Sequence, residues 1–209
     1  CVNVNGVRSS FCGVPWGSIL CPLLFIIFLN DLGFFVGQGS LIYADDSTFV
    51  TSHKDQLNLK LKSLEQADKA EHWFTSNRLK VNPTKMQSLI VSHSRSTTMS
   101  QPAVKLLGFH IDSQVRWNAH LDLVHSKLSK NLFLLRRLSS AVSHDVLLTA
   151  YHGLFSSVLS YGLLLWGGAS GVERVFKLQK RAVRILAGVA YRCPARPIFK
   201  QLKILTVYG

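Results

Sequence analysis

Between Leu41 and Val50 the chain reads LIYADDSTFV, which sets two carboxylates, Asp45 and Asp46, side by side among apolar neighbours. Adjacent like charges repel, and each costs free energy if it leaves water unpaired. Two arrangements relieve that cost: exposure on a turn, or a bound cation that the oxygens share. LIYA and STFV are short β-prone runs, so the pair is predicted at the tip of a β-hairpin. Two aspartates in a turn are common in themselves, and their surroundings decide between the readings.

Those surroundings are ordered. GVPWGS, Gly13 to Ser18, is turn material, and the apolar run ILCPLLFIIFLNDL after it is predicted as a helix buried on most sides, with Pro22 tolerated near its start. After the hairpin, Leu57, Leu61, Leu64, Ala67, Ala70 and Phe74 recur at spacings of three and four, one apolar helical face over 55–76. SLIVS (88–92) and VKLLGFHID (104–112) are predicted strands, the second with a glycine where backbone passes closely. From there the period becomes helical. Leu121, Val124, Leu128, Leu132, Leu135 and Leu138 form one stripe, a second helical stretch opens at Ser143, and a third ends at Gly188. The expected class is α+β, mixed over 1–115 and helical over 116–209.

Composition narrows the partners. The 209 residues are 47% hydrophobic and carry a net charge of +13. Residues 1–71 hold five basic and seven acidic side chains, whereas 72–209 hold nineteen and four, so the positive surplus lies in the second part. A surplus of that size favours a polyanion, nucleic acid above all. The four cysteines show no CxxC spacing, which points to a reduced intracellular setting, nucleus or cytoplasm, and to neither a zinc site nor a disulfide frame. No apolar run approaches the roughly 20 residues of a membrane span. The chain starts at Cys1 and not Met, as expected of a piece of something longer.

Taken in order, GVPWGSILCPLLFIIFLNDL, LIYADDSTFV, WFTSNRLKVNPTK, VKLLGFHID and YGLLLWGGAS followed by FKLQKRAVRIL resemble the reverse transcriptases of non-LTR (LINE-like) retrotransposons. The resemblance implies a partial polymerase palm over 1–115, then an α-helical thumb and C-terminal extension over 116–209. It implies RNA-directed DNA polymerisation, with an RNA template, a DNA primer, deoxynucleoside triphosphates and two Mg2+ ions, the metal held by Asp45 and Asp46. Gly13, Val14, Pro15, Trp16, Gly17 and Ser18 match the block beside the incoming nucleotide and templating base. Lys85 matches a lysine near the nucleotide phosphates, where it would neutralise or protonate the leaving pyrophosphate. Leu107 and Gly108 match the primer-grip hairpin, which implies a positioning role by close backbone approach. Lys127, Lys130, Arg136, Arg137, Lys177, Lys180, Arg181 and Arg184 are candidate contacts to the nucleic-acid backbone, positioning it without reading sequence.

Two departures from the family pattern stand out. Trp16 occupies the place of a glutamine, adding a large ring to a close-packed pocket. The family takes a third carboxylate from a strand upstream of the GVPxGS block, yet the sole acid before Asp45 is Asp31, at the end of the apolar run. The expectation is therefore an active site identified but not completed by these residues, inactive on its own. The alternative is a non-catalytic, basic nucleic-acid-binding remnant of a retroelement.

Overall fold

The computed structural model describes residues 3–4, 7–8, 19–92 and 102–208. They divide into two compact units, Cys1–Met86 and Gln87–Gly209. Gly13, Val14, Pro15, Trp16, Gly17 and Ser18 lie outside the described residues.

In the first unit, β1 (Asn3–Val4) pairs antiparallel with β2 (Val7–Arg8). Helices α1 (Leu20–Leu29) and α2 (Leu32–Val36) follow, then strands β3 (Ser40–Tyr43) and β4 (Asp46–Phe49), then the long helix α3 (Gln56–Ser76). Asp55 starts α3 by accepting a hydrogen bond from the Asn58 amide at 3.1 Å, the usual N-cap device. Its other end turns through Arg78, whose φ of 58° is left-handed; the Leu79 amide reaches the Phe74 carbonyl at 2.8 Å and closes a Schellman motif. Leu29, Leu32, Val36, Ala70 and Trp73 make the core of this unit.

Two expectations fail here. Among α1 residues just Leu29 is buried, and Leu23, Ile26 and Ile27 face outward. On α3 the first half of the predicted face is exposed, Leu57 at 72% with Leu61 and Leu64, whereas Ala70 and Phe74 of that face meet the core together with Gln66 and Trp73. One large ring sets that rotation: Trp73 packs edge-on against Phe28 and Phe74, and an indole buries far more surface than any single leucine. The Gln66 amide then locks it, donating to the Gln38 carbonyl at 3.2 Å.

Over 104–112 the second unit forms a hairpin, where the local pattern predicts one strand and the resemblance a primer-grip hairpin. Strands β5 (Val104–Leu106) and β6 (Phe109–Ile111) pair antiparallel around the turn Leu107–Gly108. Among the described residues, 88–92 are not part of a strand; the Ser92 amide meets the Ser113 carbonyl at 3.3 Å, and the Gln87 side chain caps the Lys105 amide at 3.2 Å. Helices α4 (Asn118–Leu138), α5 (His144–Ala150), α6 (Ser157–Ser160), α7 (Leu163–Trp166), α8 (Val172–Leu186) and α9 (Ala195–Gln201) complete it, with a π-helical turn at Tyr151–Ser156 between α5 and α6.

Helix α4 lies along α8, and its predicted stripe is the one that packs: Leu121, Val124, Leu128, Leu132 and Leu135 are buried against α8 residues including Val175, Leu178 and Ala182. Trp166 and Phe155 are fully enclosed in the same core. Gly188, with φ of 63°, ends α8 as expected, the Val189 amide bonding the Arg184 carbonyl at 3.1 Å. Phe109 stacks on Tyr161 at 4.9 Å, so the β5–β6 hairpin packs with the helices that follow it, in the compact unit that starts at Gln87. The class is mixed, helices with small two-stranded antiparallel ladders. Among the described residues no helix is long and apolar enough to cross a membrane.

Candidate active site

Strands β3 and β4 pair Ser40 with Phe49, Leu41 with Thr48, Ile42 with Ser47 and Tyr43 with Asp46, which leaves Ala44 and Asp45 as a two-residue turn. Cross-strand partners share a face. Phe49 packs on the α1–α3 core, so Ser40, Ile42 and Ser47 lie on that side, while Leu41, Tyr43, Asp46 and Thr48 occupy the other. Ala44 has φ of 50°, a left-handed conformation that a side chain disfavours by about 1 kcal/mol. That strain is the local condition for presenting Asp45 at the tip and Asp46 one residue inside it. At the base, Val50 donates to Gly39 at 2.8 Å; Gly39 has φ of 89°, and a Cβ there would collide with the Val50 carbonyl.

Both aspartates are exposed, and among the described residues neither has an ion-pair partner. Their hard oxygens suit Mg2+. As a set they fall short, since no group of three or more His, Cys, Asp or Glu side chains gathers anywhere among the described residues. Two carboxylates are two donors of a divalent-ion site and not the whole of one.

Lys85, in the same unit, ends a 3-10 turn over Pro83–Lys85 and is exposed. Asn82 holds that turn, its Oδ1 accepting from the Thr84 amide at 3.0 Å and the Thr84 hydroxyl at 2.7 Å. In the second unit, Leu107 and Gly108 form the β5–β6 turn with φ values of 46° and 85°. Both being positive defines the mirror-image turn that suits a two-residue hairpin, though leucine is an unusual choice at its first position. The compensation comes from Tyr161, whose hydroxyl donates to the Leu107 carbonyl at 2.6 Å while its ring lies flat on Phe109. Sequence reasoning missed Tyr161, because a contact between residues 54 positions apart leaves no local pattern.

The basic candidates spread over two helices. Lys127, Lys130, Arg136 and Arg137 are exposed on α4, the last two in its final turn, where cations suit the helix dipole. On α8, Lys177 and Arg181 are exposed, and Lys180 and Arg184 are half-buried. His120, buried among Phe109, Trp117 and Trp166, serves the core: its Nδ1 accepts from the His110 amide at 3.4 Å, and among the described residues Nε2 has no partner. Burial first, then the nearby His110 and Lys127, push its imidazole below the ordinary range.

Residues 2–111, more than half of the chain, match the reverse transcriptase (RNA-dependent DNA polymerase) family, and the chain belongs to that family. The matched span holds the Asp45–Asp46 hairpin, Lys85 and the Leu107–Gly108 turn. Among relatives, the chain is similar to the RNA-directed DNA polymerase from mobile element jockey of Drosophila melanogaster, 24% identical over 97% of this chain and 25% of that protein. It is also similar to two probable RNA-directed DNA polymerases of the same organism. The one from transposon X-element is 24% identical over 94% of this chain and 24% of that protein. The one from transposon BS is 26% identical over 93% of this chain and 24% of that protein. The chain thus spans about a quarter of the length of these relatives. No solved structure matches it.

Proposed function

We propose that these residues are part of the RNA-directed DNA polymerase of a non-LTR retrotransposon, with palm elements over 1–115 and thumb and C-terminal extension over 116–209. The observation that supports this best is the β3–β4 hairpin, which presents two exposed carboxylates, Asp45 in its turn and Asp46 at the first strand pair, inside the span matching the family. In the complete enzyme Asp45 and Asp46 take part in holding Mg2+, which supplies charge stabilisation for nucleotidyl transfer. Lys85 stands toward the leaving phosphates, and Leu107 and Gly108 position the primer strand by close backbone approach. Lys127, Lys130, Arg136, Arg137, Lys177, Lys180, Arg181 and Arg184 hold template and primer through their phosphates.

On their own the 209 residues do not polymerise. Two donors leave the ions under-coordinated, and placement errors near 1 Å cost about 100-fold in rate. Primer extension on an RNA template with Mg2+ and deoxynucleoside triphosphates tests both halves. No incorporation by the purified chain is expected, and robust incorporation overturns the inactivity. A longer protein including the preceding residues is expected to extend the primer and to stop doing so with Asp45→Asn. Extension undiminished by that change removes the site assignment.

The second reading, a non-catalytic nucleic-acid-binding remnant, draws on the basic surplus after residue 71. It predicts duplex affinity that falls steeply with salt, together with no activity even in the longer protein.

A further inference from the structure

From Arg174 to Gly209 the chain carries nine basic side chains and no acidic one. Among the described residues, Arg174 alone of the nine has a carboxylate partner, Asp122 at 2.8 Å. Five of the others, Lys180, Arg184, Arg196, Lys200 and Lys203, line one cleft of about 840 Å3 against α8, α9 and the segment after it. A volume of that order is typical of ligand clefts. Phe176 and Phe199 give it an apolar side, their rings stacked at 6.2 Å, with the Lys180 ammonium 4.2 Å from the Phe176 centroid. The five cations share one lining, and among the described residues none of them has a carboxylate partner.

Two details say that the cleft is shaped in advance. The Arg184 guanidinium is anchored, Nε to the Cys193 carbonyl at 2.8 Å and Nη1 to the Lys180 carbonyl at 3.3 Å. Lys203 has φ of 52°, and the Ile204 amide bonds the Phe199 carbonyl at 3.0 Å, so a lysine fills the left-handed position that Gly188 fills after α8. Beside Arg184, Tyr191 is 66% exposed, with the Arg181 and Arg184 guanidinium carbons at 5.6 and 5.7 Å from its ring centre. An open ring flanked by cations is a stacking platform for an unpaired base, which a duplex cannot offer.

We propose that this α8–α9 cleft binds single-stranded nucleic acid, phosphates on its cations and a base on Tyr191. The proposal rests on the nucleic-acid reading above and names the strand state that this site takes. With the cations assigned to phosphates and the ring to base stacking, the binding depends on charge and on the π-face that every base has, and so tolerates sequence.

The test is fluorescence anisotropy with the full chain, using a labelled oligothymidylate of about 12 nucleotides and a duplex of equal length. Between about 50 and 200 mM salt, five phosphate contacts give a log–log slope of about −3.5 for the single strand. Tyr191→Ala is expected to weaken single-strand binding ~5–100-fold and leave duplex binding unchanged. Lys203→Gly relieves the backbone and loses a cation, so it keeps the Tm within about 2 °C while lowering the slope by about 0.7. Lys200→Ala, at an ordinary helical position, is expected to lower it equally. The proposal is overturned if Tyr191→Ala and Lys200→Ala leave single-strand affinity intact, if the duplex competes equally and loses equally with Tyr191→Ala, or if phosphatidylserine vesicles bind and the oligonucleotide does not. Failure of the polymerase reading shows elsewhere: the longer protein then extends no primer, while these single-strand measurements stand by themselves.

Discussion

Removing one hydroxyl, Tyr161→Phe, isolates the force that holds the Leu107–Gly108 turn. The bond it deletes is 2.6 Å long, to a carbonyl on a residue that is itself exposed. A typical intramolecular hydrogen bond nets about 1 kcal/mol, and since water can hydrate the freed Leu107 carbonyl the loss sits at about 0.5–1 kcal/mol. The ring remains, stacked on Phe109 at 8°. Tyr161→Ala removes that too, adding about 0.5–1.5 kcal/mol. Native-state hydrogen exchange of the β5–β6 amides reads local opening directly. Exchange is expected to rise about 2–5-fold in Tyr161→Phe, more in Tyr161→Ala, with α4 amides unchanged. A double-mutant cycle with Phe109→Leu then isolates the stack. The reasoning is refuted if Tyr161→Phe leaves hairpin exchange at the wild-type rate, or if Tyr161→Phe and Tyr161→Ala are indistinguishable.

Two further outcomes follow from single residues. His120 has its imidazole held below the 6.5 of a free histidine, mainly by burial. The unfolded chain therefore binds the proton more readily, so the contribution is fully present above about pH 6.5 and is lost as pH falls toward the folded value. Urea midpoints between about pH 5 and 8 should show that decline, and His120→Leu should flatten it; an unchanged slope in the variant sinks the assignment. Ala44→Gly should stabilise the carboxylate hairpin by about 0.5–1 kcal/mol, because glycine takes positive φ without penalty. Slower exchange of the β3–β4 amides is the readout, and faster exchange contradicts the strain.

What could be read from the residues was whatever a local period or a turn signature encodes. The α4 stripe from Leu121 to Leu135 was legible because one face of a 3.6-residue helix meets one neighbour. The hairpin around YADD was legible because two β-prone runs flank a short polar break. Its turn falls on Ala44 and Asp45, one residue earlier than the Asp45–Asp46 expected, and Asp46 opens β4. The rotation of α3 was not: Leu57, Leu61 and Leu64 have the right spacing, but Trp73 and the Gln66 bond to Gln38 decide which side turns inward. Nor was Leu107 readable as a left-handed residue, since its support arrives from Tyr161, 54 positions on in the turn after α6. Local chemistry predicted the hairpin that carries Asp45 and Asp46, whereas their neighbours in space depend on packing that no period carries.

The π-helical turn at Tyr151–Ser156 has a consequence for length rather than for side chains. The buried residues Leu147, Tyr151, Phe155 and Leu159 follow one another at intervals of four. In an α-helix each such interval drifts about 40°, so three of them swing the last side chain about 120° around the axis. The π turn unwinds the segment enough to keep all four in the core, and the Asn131 side chain donates to the Leu154 carbonyl within it. An extra residue is thus built into the helix, and its removal is a change of phase. Deleting His152 is expected to restore regular winding and turn Phe155 or Leu159 out of the core, whereas replacing His152, which is exposed, leaves the phase untouched. This stretch tolerates a change of letter far better than a change of count.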